Sequence, residues 1–564
     1  LLLLLWSLPP MPVSVPTSLL ALFEQACQHH ADTPLLMEGD TELTGQQAQA
    51  HVQQLATALQ TQYGIQAGQH VGLLLGNQCE FILGLLALRA LGAVAVPFNL
   101  FMSPDDLMYV LRHSQVRLVL TESELAQTMA SRLGMDLGNV PLPLVIANRP
   151  ADAQPLPAPH ACWQELVAAS ADAPLPFPQA PAQADTTMAL LIYTSGTTGE
   201  PKGVMLSEAN LLHNMQGFSA VLTLEALATQ GVDLRMLMGL PLFHGYGLIC
   251  AMYALWLKAP LVLVPKFQPK ALLEAIAKRQ VSILPLVPTL FHVLVQQADK
   301  LPAHLLESVK VCISGGAALP AELLLRAEQI LGAPIYEGYG MTETSPVIAV
   351  NGPVVGRQPG AVGAPLPNVQ VRLLSLATGQ SVDASQLASQ GNTQTLLSDE
   401  GEVQIKGDNV MLGYFQNPQA TAEVMLPNGW LKTGDLARYD AQGRLVITGR
   451  IKELIIKGGE NISPLPIERA LLAHPAVAEA AVVPQADAVV GEKIVACLAF
   501  IPDADAEAML REVKHHLRQH LTPLMQPDVY HILPELPKTP TGKVMKKRLK
   551  ADLALATANP CHHH

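Results

Sequence analysis

The chain has 564 residues, 49% of them hydrophobic and 15% charged, with a formal net charge of −12. That length exceeds what one undivided core normally holds, so two or more domains are expected, with ample apolar material for each. The acidic balance excludes a general nucleic-acid binder, which needs a basic face, but allows a nucleotide held locally by backbone N–H groups and a few cations.

LLLLLWSLPP opens the chain, and the first methionine is Met11. Without a basic leader or a cleavage site, residues 1–10 read as upstream translation or an expression remnant, within a disordered N-terminus of residues 1–15. VGLLLG (71–76) is a short apolar run ending in glycine; a helical pattern over 78–91, Gly92 as a stop and the run AVAVP follow. The Pro- and Ala-rich segment 141–181 reads as surface connections rather than core. In IYTSGTTGEPKGVML (192–206) an apolar strand leads into Thr194, Ser195, Gly196, Thr197, Thr198 and Gly199, with Pro201 and Lys202 behind them. Glycines let backbone fold around an anion, hydroxyls donate to it, and the lysine adds charge. The spacing is not that of a GxxxxGK[ST] loop.

LPLFHGYG (240–247) begins an apolar stretch from Tyr246 to Val264. Lys258 and Pro260 interrupt it, so it reads as buried core rather than a membrane span, and peripheral membrane contact stays compatible. VKVCISGG (309–316), then Pro320 and the pattern AELLLRAEQILG, repeat the strand–turn–helix logic. Such units predict a parallel sheet covered by helices. EGYGMTET (337–344) follows the strand-like APIY. Residues 376–399 read as a solvated insertion. After GWLKTGDLA (429–437) and TGRIKELIIKGGENISP (448–464) the character changes. AVAEAAVV (476–483) and KIVACLAFI (493–501) precede a helix striped by Leu510, Val513, Leu517 and Leu521, which reads as a small α+β domain with its boundary near Gly449–Lys452. His516 and His520 stand four apart on that helix, but no third ligand accompanies them, so zinc is not expected. In PKTPTGKVMKKRLK (537–550) the residues Lys546, Lys547, Arg548 and Lys550 read as a solvated basic face. Seven scattered cysteines without a CxxC spacing suggest neither disulfides nor a zinc knuckle, and fit a reduced, cytoplasmic protein.

These strings, in this order, resemble the adenylate-forming family: acyl-CoA and aryl-CoA synthetases, peptide-synthetase adenylation domains and firefly-type luciferases. The resemblance runs from about Pro16 to about Asp552. It implies an α/β fold, with a large N-terminal domain of helix-covered sheets over 16–450 and a small mobile C-terminal α+β lid domain over 451–552. Residues 553–564 would form a tail, and Lys452 a hinge. The resemblance further implies that Thr194 to Gly199 and Lys202 hold the phosphates of ATP, that the loop with Gly315, Gly316 and Ala317 lines adenine and the acyl tunnel, and that Glu337 and Gly338 belong to the nucleotide site. Tyr339 would lie against the base, Thr342 would contact the α-phosphate and Glu343 would hold Mg²⁺. Asp435 would accept from both ribose hydroxyls, with Arg450 as the second ribose and phosphate contact. Lys543 would bridge the attacking carboxylate and the α-phosphate. The catalytic set is then Lys202, Thr342, Glu343 and Lys543, and the acyl pocket is His244, Gly245, Gly315, Gly338, Gly340 and Met341. Two readings stay open: His244 is equally explained by packing, and Lys452 by a solvated surface lysine.

The implied chemistry is in-line attack of a carboxylate oxygen on the α-phosphate with loss of pyrophosphate, then attack of a thiol on the acyl adenylate after the small domain swings. The cofactors would be ATP, Mg²⁺ and coenzyme A. Amino-acid-activating relatives place an aspartate just after LPLFH, whereas GYGLICAMYALWLK is apolar up to Lys258. A buried ammonium there would be costly. The expected substrate is therefore a medium- or long-chain fatty acid, with an aryl acid as the nearest alternative. The spacing from TGDL to GGENISP shows no insertion near the junction, which favours CoA as acceptor over an acyl-carrier protein. A silent nucleotide- or acyl-binding paralogue would be expected to lose Lys543, Glu343 or the loop hydroxyls, and the sequence keeps them. Nothing supports a luciferase-like oxidation.

Overall fold

A computed structural model describes residues 16–140, 142–150, 155–171, 186–194, 200–265, 269–296, 305–354, 356–384, 398–501, 505–538 and 544–558. Their strands form four sheets. The fold is mixed α/β, with a large N-terminal domain and a small C-terminal one.

In the first large sheet, of eight strands, His70–Leu74 and Val94–Pro97 are parallel neighbours, as the repeated strand–turn–helix pattern predicts. Helix Cys79–Ala90 joins them and is buried on almost every side, since its residues are apolar nearly all round. One edge turns antiparallel, where Met188–Thr194 pairs with Lys202–Ser207, and that strand pairs with Gly413–Tyr414. At the opposite edge, Leu144–Ala147 is a fully buried parallel strand beside Val119–Glu122. This corrects the expectation for 141–181 at these residues; 141, 151–154 and 172–181 lie outside the described residues. Four apolar residues among prolines carry no visible period, yet they form the strand next to the edge strand Ala161–Cys162, with helix Trp163–Ala169 following.

The nine-stranded sheet is parallel from Ile335–Gly340 through Val311–Ser314, Ile283–Leu286, Met236–Met238 and Leu261–Leu263 to Pro34–Glu38. Antiparallel strands close both edges. The apolar stretch after His244 is helix Gly245–Trp256 followed by strand Leu261–Leu263, both in the core as expected. Fully burying each of its leucines contributes about 1.5–3 kcal/mol. A buried ion pair, Arg89 Nη2 to Glu208 Oε2 at 3.1 Å, joins helix Cys79–Ala90 to helix Glu208–Leu222. Losing one partner of such a pair costs about 3–5 kcal/mol, because the other charge is stranded. Among the described residues no helix is long and apolar enough to cross a membrane.

An antiparallel five-stranded sheet carries Leu431–Tyr439 and Leu445–Arg450 side by side. The chain leaves it through the turn Ile451–Glu453 into the last sheet. There the two expected β-rich runs are strands Val477–Asp487 and Gly491–Phe500, which pair as a hairpin under helix Ala506–His520. Val513 and Leu517 of the predicted stripe are buried, and Leu510 and Leu521 pack beside them. His516 and His520 stack with ring centroids 4.1 Å apart, and among the described residues no cluster of three or more His, Cys, Asp or Glu side chains is placed to hold a metal ion. A second correction concerns Lys546. It is no part of a solvated face: its ammonium lies between Glu453 and Glu468. The free cysteines among the described residues are all buried.

Candidate functional site

The C-terminal ends of the parallel strands Val311–Ser314 and Ile335–Gly340 open towards the five-stranded sheet, where ligands bind in open α/β sheets. Tyr339, near the end of the second strand, donates its hydroxyl to Asp435 Oδ2 at 2.7 Å. Asp435 is only 4% exposed and stands directly opposite Arg450 in the antiparallel register. Arg450 Nε lies 2.8 Å from Asp435 Oδ1. Both carboxylate oxygens are thus engaged, one by each sheet. Burial, then the neighbouring Asp435 charge, raises the Tyr339 phenol far above its ordinary range, and Asp435 holds the Arg450 guanidinium firmly in its charged form.

Beyond Tyr339 the chain turns sharply. A side chain at Gly340 would meet the Pro346 carbonyl oxygen, so only glycine lets the turn fold back. Thr342–Thr344 then forms a single 3₁₀ turn. Asn409 Nδ2 donates to Thr344 O at 3.0 Å and Asn214 Nδ2 to Val347 O at 2.7 Å, which pins the turn from two other elements. Glu343 is consequently held in the interior, where Tyr414 Oη donates to its Oε1 at 2.8 Å. Burial pushes the Glu343 carboxyl up, and Tyr414, Lys202 and Arg450 work against that shift. Lys202 Nζ sits 5.0 Å from the centre of the Tyr414 ring. Thr194 and Lys202 pair at the loop end of their hairpin. Ser195, Gly196, Thr197, Thr198 and Gly199, and likewise Lys543, lie outside the described residues.

Glu337 is 5% exposed, and its Oε2 has no hydrogen-bond partner among the described residues. Burial pushes its carboxyl up to about 7, against the pull of Asn351, Arg469, the Leu319 backbone and Arg357. Arg469 comes from helix Pro464–Leu472 of the small domain.

On the other flank, exposed His244 caps helix Gly245–Trp256 through Nδ1, which accepts from Tyr246 N at 3.4 Å. Gly245 faces Thr342: a Cβ there would lie 3.6 Å from its Oγ1. The Tyr246 ring lies over Gly315, 3.0 Å from where a Cβ would stand, and its hydroxyl is 3.0 Å from Ile313 O and 3.3 Å from Leu286 O. Gly338 is next to the Ser314 carbonyl, Met341 O accepts from Thr344 Oγ1 at 2.8 Å, and Gly316 and Ala317 are exposed. Lys452 is exposed in the turn between the domains.

The structure therefore brings together Lys202, His244, Gly245, Gly315, Glu337 to Glu343, Asp435 and Arg450. It leaves Lys452 apart. Sequence reading passed over Tyr414 and Tyr246, although Gly413–Tyr414 sits in an apolar run, MLGYF, that could have been flagged as a short strand.

Comparison with known proteins identifies the family. The AMP-binding enzyme family matches residues 23–415, and the AMP-binding enzyme C-terminal domain matches residues 466–543. A sulfoacetate–CoA ligase of Cupriavidus necator is 36% identical over 86% of this chain and 88% of its own length. A long-chain-fatty-acid–CoA ligase of Bacillus subtilis is 37% identical over 64% of this chain and 61% of its own. The structure of o-succinylbenzoate CoA synthetase from Bacillus subtilis, in complex with its acyl-adenylate intermediate, superposes with a TM-score of 0.74 at 27% identity. That match covers 94% of this chain and 97% of the other. With both its domains matched and these relatives CoA ligases, the chain belongs to the AMP-binding enzyme family and is an ATP-dependent, adenylate-forming acid–thiol ligase.

Proposed function

We propose that this ligase activates an apolar carboxylic acid, a medium- or long-chain fatty acid, and passes the acyl group to coenzyme A. The observation that carries the residue assignments is the meeting of Tyr339, Asp435 and Arg450 beside Glu343 and Lys202. Asp435 accepts from the ribose hydroxyls, Tyr339 lies along the base, and Glu337 Oε2, without a partner among the described residues, accepts from the adenine amino group. Thr194 to Gly199 and Lys202 wrap the phosphates, and Thr342 donates to the α-phosphate.

Glu343 is a hard oxygen donor in a buried setting between Lys202 and Arg450, a setting that fits Mg²⁺ shared with phosphate oxygens. When bound, that ion neutralises phosphate charge as the acid approaches. The chain's own residues do the rest. Gly315, Gly338, Gly340 and Met341 shape the pocket, and His244 and Gly245 border it. Lys543 brings an ammonium between the acid and the α-phosphate, so that two anions can close to bonding distance. The carboxylate oxygen forms a bond to the α-phosphorus and pyrophosphate leaves. In the second step the thiol loses its proton, its sulfur bonds to the acyl carbon, and AMP leaves. The small domain, 451–552, turns about Lys452 between the steps and presents the turn at Gly458 and Gly459.

Helix Gly245–Trp256 holds no charged residue, which supports an apolar tail. A second reading, an aryl acid, is favoured by the flat Tyr246 ring laid over Gly315. Acid-dependent ATP–pyrophosphate exchange across aliphatic and aromatic acids, with and without CoA, separates the two. Exchange with sulfonated or amino acids alone would overturn both, and product carried only on an acyl-carrier protein would overturn CoA as acceptor.

Glu337 supplies a pH signature. Only its ionised form offers Oε2 without a proton, so KM for ATP is expected to fall as pH rises through about 7. Glu337→Gln, which keeps an acceptor oxygen, should flatten the profile. Because the folded carboxyl titrates above its unfolded value of 4.5, its ionisation also lowers stability as pH rises from there to about 7. The Gln variant should lose that slope in a melting series.

A further inference from the structure

The basic run after Lys543 holds one side chain that none of these roles uses. Lys546 begins the last helix, Lys546–Ala558. Its ammonium lies 2.5 Å from Glu453 Oε2 and 2.8 Å from Glu468 Oε1, with the three side chains 22%, 28% and 12% exposed. Glu453 closes the turn Ile451–Glu453 that contains Lys452, and Glu468 stands on helix Pro464–Leu472, where its Oε1 also accepts from Val482 N at 2.7 Å. Burial disfavours the ammonium, yet the two carboxylates outweigh it and raise its pKa. Glu453 further lies in the field of Arg450, the partner of Asp435. Charges thus alternate from Asp435 through Arg450, Glu453 and Lys546 to Glu468.

The preceding flank is fixed as well. Lys538 pairs with Glu479, whose Oε2 accepts from Leu536 N at 2.9 Å. Lys538 and Val544 form an antiparallel bridge, and Met545 N donates to Pro537 O at 2.7 Å.

We propose that Lys546 is a positioning residue, fastening the chain that follows Lys543 to the hinge turn so that lobe orientation and presentation of Lys543 change together. This rests on the roles given above to Lys543 and Lys452. Removing the ammonium takes away the charge that sits between Glu453 and Glu468, and loosens the tie between the turn and the last helix. Bound geometry is sensitive: a misplacement of about 1 Å can cost about 10²-fold in rate.

The test uses the full chain with Lys546→Met, Lys546→Arg and Lys543→Ala. It reads pyrophosphate exchange, transfer to CoA from supplied acyl adenylate, and melting temperature. Lys546→Met should lower kcat for exchange by about 10- to 100-fold, with KM for ATP and the transfer step nearly unchanged. Lys546→Arg should recover most of the rate, since its fork can reach both carboxylates. Equal loss in both half-reactions with a lowered melting temperature would reduce Lys546 to a brace and overturn the proposal. So would undiminished exchange in Lys546→Met beside a collapse in Lys543→Ala. Undiminished exchange in Lys543→Ala would instead overturn the role of Lys543, and this inference with it.

Discussion

Lys543→Ala is expected to slow acid-dependent pyrophosphate exchange by about 10²–10³-fold, the usual effect of deleting one preorganised charge donor. Transfer of a supplied acyl adenylate to CoA should be largely spared. The split follows from where charge develops. In the first step two anions must approach, and the ammonium has its greatest effect when they are closest. In the second step a neutral acyl carbon meets a thiol, and repulsion of that kind is gone. Single-turnover measurements of each half-reaction check this. A comparable loss in both would assign Lys543 to binding or to lobe packing rather than to charge neutralisation.

Glu343→Gln is expected to cost about 10²-fold in exchange and to move the magnesium titration to higher concentration. The amide keeps the shape and still accepts from Tyr414, whose hydroxyl donates to Oε1 at 2.8 Å, so the change removes charge rather than packing. Stability gives an internal control. Burial raises the folded carboxyl, so ionisation of Glu343 works against folding as pH climbs above its unfolded value. The neutral amide should therefore melt no lower than the parent at neutral pH without metal. Wild-type exchange and an unshifted magnesium curve would remove Glu343 from the metal's coordination.

Local patterns made much of this molecule legible. Period and punctuation announced His70–Leu74, helix Cys79–Ala90 and strand Val94–Pro97, and the two β-rich runs and striped helix of the small domain. Strings such as EGYGMTET drew attention to Glu343 and Tyr339. What sequence could not supply was convergence across distance. Tyr339 and Asp435 are 96 residues apart, Glu343 and Tyr414 71, Glu453 and Lys546 93. Pairing at such separations is decided by sheet register and turn geometry, which no short string encodes. Lys546 was misread for this reason, since a lysine among lysines looks solvated until its partners are known. Leu144–Ala147 was misread because four residues are too few to display a period amid prolines.

Gly449 carries a last consequence. It precedes Arg450 on the strand leading out of the large lobe, and Ser463 of the small lobe rests against it, donating through Oγ to Thr448 O at 2.6 Å. A methyl group at 449 would come within 2.2 Å of that Oγ. One carbon atom would therefore act as a wedge in the bearing between the lobes, selecting against this pose. The balance between the two chemical steps could then be retuned by a substitution that touches no reactant.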